Sequence, residues 1–429
     1  MFQTIRNAWR IPDLRKKLLY TLGMLIIFRF GSYVPVPYLD RARVMALLSA
    51  GGGSSLLDFM NIFSGGAFAN ATIFAMSITP YINASIIMQL LTVAIPALER
   101  ISKEGEEGRK KLAQWSRYLT VVLALIQAIG LYFTLKNGYQ AVTTPGFLAG
   151  ATIVLTFTAG TAFLMWLGEQ INDKGIGNGI SILIFAGIVS RGPQMIQAII
   201  EYNKSGTLNI FTTIILIVVA VIVIGFVVAM TNAERKIPVQ YSKRVVGRKM
   251  YGGQSTSIPI KVASAGVMPI IFAMSIMAFP GTIASFFGKN IDNAGNILKF
   301  FLRVLSPSHP VYGVLYFLLI LFFTYFYTAI QFNPIEMANN MKKSGGFIPG
   351  IRPGRNTSDY ISKVLSRITV VGAVFLGLIA VLPIFMSQTA SLNISIGGTS
   401  LLIVVGVALE TVKAMETQMV MRHYKGFLE

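Results

Sequence analysis

Runs of about twenty mostly apolar residues recur from one end of this chain to the other, and each can cross the roughly 30 Å hydrocarbon core of a bilayer. LLYTLGMLIIFRF, FTTIILIVVAVIVIGFVV and VLYFLLILFFTYFYTAI are three of them. A helix of a soluble protein that meets water keeps a polar stripe, and these runs have none. Charged residues make up only 13% of the 429, against roughly 25% in a soluble domain. The chain is therefore expected to be an all-α polytopic membrane protein.

Hydropathy and helix breakers place ten spans near 18–37, 72–98, 113–134, 149–170, 178–199, 208–232, 264–287, 311–333, 367–386 and 398–419. The N-terminal RKKLLYTLGMLIIFRFG looks like a signal peptide but has no small-residue cleavage site after it, so it is read as a retained first span. With the N-terminus inside, 28 of the 37 Lys and Arg fall in interior segments and 8 in exterior ones. The positive-inside rule then puts both termini in the cytoplasm. The same bias accounts for the net charge of +20 without nucleic acid.

Ten spans divide into five plus five, residues 1–200 and 201–429. Because five is odd, the second half starts on the opposite side, so any repeat is an inverted one, as in many transporters. Spans 2 and 7 match in position and each holds two prolines, Pro80 and Pro96, and Pro269 and Pro280. A proline removes a backbone hydrogen bond and tends to kink a helix. The pair is either moving or cavity-lining, or an instance of prolines being common in membrane helices.

There is no cysteine, and the two histidines, His309 and His423, are far apart in the sequence. No disulfide, His-based metal site or cofactor is expected. A solute or ion carrier keeps ionisable groups at mid-membrane. Nearly all 17 acidic residues here fall in loops or at span ends. Glu410 is the deepest, with Lys413 three residues on. Arg29 lies in the outer part of span 1, where it could snorkel. No candidate filter of carbonyls or charges is visible. These absences leave a pore with an uncharged, apolar lining as the reading, with a secondary solute transporter and an insertase lacking a through-pore as alternatives.

Span 2 suits such a pore. Ile78, Ile82, Ser85, Ile86 and Gln89 share one helical stripe, apolar near mid-span and polar toward the cytoplasm. That pattern fits a hydrophobic constriction above a wet vestibule. It fits equally an ordinary helix–helix contact in which Ser85 and Gln89 hydrogen-bond to neighbours. Just before it, GGGSSLLDFMNIFSGG (51–66) flanks a short apolar segment with glycines, and Ser55 with Asp58 resembles a capping box. The segment is either a re-entrant or interfacial turn, or a movable stopper.

Two large loops face the cytoplasm. Residues 234–262 alternate on either side of Gly247 and suggest a basic hairpin. Residues 333–364 end a helix at Ser344-Gly345-Gly346 and present Arg352 between Ile351 and Pro353. Lipid headgroups explain loose basic residues; an arginine on a stiff tip suits an acidic partner or RNA phosphate. There is no Walker A pattern, HExxH or carboxylate pair, and GIGNGIS (175–181) reads as a tight turn entering span 5. The chain is not expected to be an enzyme, and any energy source lies in a partner.

The stretches NIFSGGAFANATIFAMSITPYINASIIMQLLTV, KEGEEGRKKLAQWSRY, FLMWLGEQINDKGIGNGISILIFAGIV, GVMPIIFAMSIMAFPGTIASFFG, FNPIEMANNMKKSGGFIPGIRPG and GGTSLLIVVGVALE resemble the SecY family, central subunits of bacterial protein-conducting channels. The resemblance implies a clamshell of two inverted five-helix halves around an hourglass pore in the bacterial cytoplasmic membrane. It places a sealing ring at Ile78, Ile82, Ile184, Ile271 and Ile403. It places a plug at Leu56, Leu57, Asp58, Phe59, Met60, Asn61, Ile62 and Phe63. A lateral gate between spans 2 and 7 would involve Asn83, Ser85, Ile86, Gln89, Gln127, Pro269 and Ser275. Signal sequences and membrane segments of translocating polypeptides would leave through it into lipid. Arg248, Lys249 and Arg352 stand where the family docks the SecA motor or the ribosome. At Lys249 a lysine keeps the charge of the arginine common there but not its planar fork. SecE and SecG subunits are implied as partners.

Overall fold

The computed structural model describes residues 2–49, 61, 63–138, 140–144, 146–205, 210–241, 244–246, 249–251, 255–263, 266–286, 309–390 and 398–425. Each of the ten expected spans has a helical counterpart among them. In chain order the helices are α1 (Phe2–Arg10), α2 (Pro12–Gly31), α3 (Arg41–Ser49), α4 (Thr79–Ala94), α5 (Pro96–Lys103), α6 (Glu106–Phe133), α7 (Phe147–Lys174), α8 (Gly179–Ser190), α9 (Gly192–Lys204) and α10 (Ile210–Asn232). After four strands follow α11 (Met268–Phe286), α12 (Pro310–Gln331), α13 (Pro334–Lys343), α14 (Arg355–Ala390) and α15 (Gly398–Lys425). Among the described residues six helices are long and apolar enough to cross a membrane alone, and α4 with α5 forms a seventh, broken candidate bent by 101°.

The chain divides into two compact units. One comprises Met1–Thr213, Met274–Tyr312 and Val407–Glu429; the other comprises Ile214–Ala273 and Gly313–Gly406.

In the first unit, helices approach closely where glycine leaves room. A Cβ on Gly179, in α8, would lie 2.1 Å from the Gly168 carbonyl of α7. The intervening turn is the tight one expected of GIGNGIS: Gly177 has φ +76°, and Asn178 caps α8 by accepting from the amides of Ile180 and Ser181. Spans 1 and 2 differ from expectation. The α2 helix stops at Gly31 rather than near 37. Span 2, expected over 72–98, is not helical until Thr79. Before it, Val36 N bonds to Ala71 O at 2.9 Å and Ile73 N to Val34 O at 3.0 Å, so the chain after α2 pairs with the chain before α4. Phe74 stacks between Phe28 and Phe163 at centroid distances of 6.1 and 6.0 Å. A non-local bond has taken the Ile73 amide, while those of Ala71, Thr72, Ala75 and Ser77 close local turns.

The prolines are corrected with it. Ile78 is the N-cap of α4, so Pro80 falls in the first turn. There its missing N–H leaves nothing unsatisfied, and it begins the helix rather than kinking it. Pro269 likewise is the second residue of α11. Pro96, opening α5, does stand at a sharp bend, and Pro280 lies inside α11.

The second unit holds the two large loops as a small folded body. The expected hairpin is present: β1 (Glu234–Tyr241) pairs antiparallel with β4 (Ser255–Lys261), and β2 (Arg244–Val246) with β3 (Lys249–Tyr251). A third strand, β5 (Gly346–Phe347), adds to β1 at Gln240 and Tyr241. Pro238 sits where β1 has a neighbour on one side only, so its absent N–H costs no ladder bond. Ile237 and Val239 point into a core with Ile260, Met341, Ile348, Ile361 and Leu365. That core seats the loops on the first turns of α14. The Ser344 stop is as expected: Ser344 C-caps α13, and Gly345 follows at φ +67°.

Candidate functional site

The ring positions split between the units. Ile78, Ile82 and Ile184 lie in the first, Ile271 and Ile403 in the second, and all five side chains are buried. Ile78 and Ile82 are one turn apart as the stripe requires, with the Ile82 amide donating to the Ile78 carbonyl at 3.1 Å. Ile78 reaches that position from a cap rather than from mid-helix. Further along α4, Ile86 is buried as fully as Ile82, while Asn83, Ser85 and Gln89 are half-buried.

Of the other gate residues, Gln127 on α6 is half-buried and Pro269 is buried. Ser275 on α11 is buried, and its hydroxyl has no hydrogen-bond partner among the described residues; the same holds for Thr79 and Thr161.

Leu56, Leu57, Asp58, Phe59, Met60 and Ile62 lie outside the described residues, as does the capping box expected at Ser55 and Asp58. The other two positions expected in a plug, Asn61 and Phe63, are buried and tied down. Asn61 Oδ1 accepts from the Ala69 amide at 3.2 Å. The Phe63 carbonyl accepts from Ser77 Oγ at 3.0 Å. Ser77 itself has φ +55°, a conformation that non-glycine residues adopt rarely.

Arg29 differs from its expected role. Its guanidinium is engaged within the chain: Nη1 donates to the Gly65 carbonyl at 3.3 Å and to Ser190 Oγ at 3.1 Å, and Nη2 donates to the Tyr33 hydroxyl at 2.7 Å. The Tyr33 ring centroid lies 4.8 Å from Cζ. Hydropathy reasoning missed this cluster, whose one signal in the sequence is an arginine in an apolar span facing no acid.

Of the docking residues, Arg248 lies outside the described residues, and Lys249 opens β3 with its backbone paired to Val246. Arg352 is exposed on a stiff tip. Thr357 Oγ1 donates to its carbonyl at 3.0 Å, Ile351 N bonds to Ile348 O, and glycines at φ +80° and +104° (Gly350 and Gly354) set the turns on either side.

The family model for SecY matches residues 72–412. Protein translocase subunit SecY of Halalkalibacterium halodurans is 48% identical over 438 residues, covering 100% of both chains. That of Bacillus subtilis is 48% identical over 440 residues, again 100% of both, and that of Thermotoga maritima is 46% identical, covering 100% of this chain and 98% of its own. Among solved structures, a protein conducting channel superposes with TM-score 0.68 at 21% identity, covering 95% of this chain and 93% of that one. Sec61 in the canine ribosome-channel complex from the endoplasmic reticulum superposes with TM-score 0.61 at 19% identity, covering 95% and 93%. These two carry the fold, and the bacterial relatives, matched from end to end, carry the family: the chain belongs to the SecY family of protein translocase subunits.

Proposed function

We propose that this translocase subunit, a multi-pass protein of the bacterial cytoplasmic membrane, conducts unfolded polypeptides through a waist lined by Ile78, Ile82, Ile184, Ile271 and Ile403. The observation that carries the reading is the non-helical backbone of residues 64–78, of which 67–78 are as apolar as the helix that follows. At membrane depth such backbone is tolerated only where it is buried in protein or lines a water-filled cavity. Ile78 and Ile82 stand at its end, with the half-buried Ser85 and Gln89 one and two turns further on.

Isoleucines close around varied side chains without offering polar groups that bind them. Apolar segments leave sideways between spans 2 and 7, because burying apolar surface in lipid gains about 25 cal/mol per Å². Asn83, Ser85, Ile86, Gln89, Gln127, Pro269 and Ser275 would line that exit, and residues 56–63 would plug the outer funnel. The halves are 1–200 and 201–429, with both termini cytoplasmic. The chain catalyses no reaction itself. SecA or a ribosome supplies the drive through Arg248, Lys249 and Arg352, and SecE and SecG complete the complex.

A photo-crosslinking residue at position 82 or 271, in the reconstituted complex driven by SecA, should capture a translocating secretory precursor. Active translocation with no adduct at either position would overturn the waist.

A further inference from the structure

We propose that Arg29 is a positioning residue that locks the outer frame of the waist in its closed geometry; this rests on the pore reading above. The frame is built from three pieces of the first unit. The first is the segment 63–78, closed into one body by the bond from Ser77 Oγ to the Phe63 carbonyl at 3.0 Å. That bond brings Gly65 and Ile78 into the same body, although thirteen positions separate them.

The second piece is the C-terminal end of α8. A Cβ on Gly65 would lie 2.8 Å from Gly187 Cα and 2.9 Å from Ser190 Oγ, and one on Gly187 would lie 3.0 Å from the Phe63 carbonyl. The segment is thus pressed against α8 with no space for a side chain, and Gly65 takes φ +64° to do it. Ile184, a ring position, lies three residues before Gly187, roughly 4.5 Å along the helix.

The third piece is α2, which supplies Arg29. Ser190 Oγ donates to the Gly187 carbonyl at 2.7 Å, so its lone pair faces the guanidinium and accepts from Nη1 at 3.1 Å. The same Nη1 bonds to the Gly65 carbonyl at 3.3 Å. Its positive charge also sits at the negative end of the α8 dipole. Tyr33 holds the other nitrogen at 2.7 Å and offers its ring face. One guanidinium thus joins the body that carries Ile78 to the helix that carries Ile184. A lysine retains the charge but cannot hold three acceptors in one plane.

The test uses the complete channel complex in planar bilayers and proteoliposomes. Arg29→Gln should raise resting ion conductance on the order of tenfold, the shift in a closed-to-open ratio that a loss of about 1.4 kcal/mol produces. It should also increase passage of a precursor with a defective signal sequence, a gain that misfolding does not produce, and Arg29→Lys should restore part of the seal. If Arg29→Gln does not assemble, Ser190→Ala decides, with a raised leak supporting the lock and an unchanged one overturning it. Ile82→Ser runs in parallel. A leaking Ile82→Ser beside a tight Arg29→Gln overturns the lock alone. If both stay tight, the waist itself is wrong and the lock falls with it.

Discussion

A Cβ on Gly160 would sit 2.0 Å from the carbonyl oxygen of Ile73. Helix α7 thus touches the non-helical segment before α4 backbone to backbone, at a place where no other residue type fits. Gly160→Ala should destabilise the complex by about 1–3 kcal/mol, read as a lowered melting temperature. Gly225→Ala on α10 is the control, because nothing lies within 4 Å of its added methyl; its melting temperature should not fall.

Ser77 combines a strained backbone, φ +55°, with a side-chain bond that closes residues 63–77. Ser77→Ala keeps the strain and loses the bond, worth about 1 kcal/mol. Ser77→Gly loses the same bond but relieves the strain. The glycine variant should therefore melt above the alanine variant, and the reverse order would show that the strain is not there.

Thr161 is buried in α7, and its hydroxyl has no partner among the described residues. A buried unsatisfied hydroxyl costs roughly 1–3 kcal/mol, and valine has nearly the same shape. Thr161→Val should leave the complex as stable or more stable. A clear loss of stability would mean that the hydroxyl is used.

At the docking tip, Arg352 is exposed and lies outside the small core beneath it. Arg352→Glu should leave the melting temperature unchanged, since exposed substitutions shift stability by no more than about 0.5 kcal/mol. SecA-driven translocation should fall at least about tenfold through charge reversal against an acidic partner. Undiminished translocation would remove Arg352 from the docking surface.

Ile403 is buried in α15. Ile403→Ser puts a hydroxyl at a proposed ring position, where it would favour water in a constriction that seals by dewetting. Resting conductance should rise and selectivity for intact signal sequences should relax. Both are measured in the reconstituted complex, and a seal as tight as wild type would exclude Ile403 from the ring.

The helices and their loops were legible because apolar runs and basic hairpins are local patterns. Asn178, Asn333 and Ser344 stand at helix ends as their types suggest. The break in span 2 was not legible. Residues 67–78 are as apolar as the helix that follows, and what unwinds them lies elsewhere in the chain: Val34 and Val36 exchange bonds with Ile73 and Ala71. Pro80 and Pro269, read as kinks, proved to be helix starts, because α4 and α11 begin seven and four residues later than hydropathy places spans 2 and 7. Arg29 was visible as an oddity, yet its partners at 65 and 190 are distant in sequence.

Helix α14 has 36 residues, about 54 Å at 1.5 Å per residue, nearly twice the hydrocarbon thickness. Its first turns carry Ile361 and Leu365 into the core shared with Ile237, Val239 and Ile260. The loop tips are thus fixed to one end of a rod whose other end is embedded. A force applied at Arg352 would act on one end of that rod and reach the bilayer without first bending a loop.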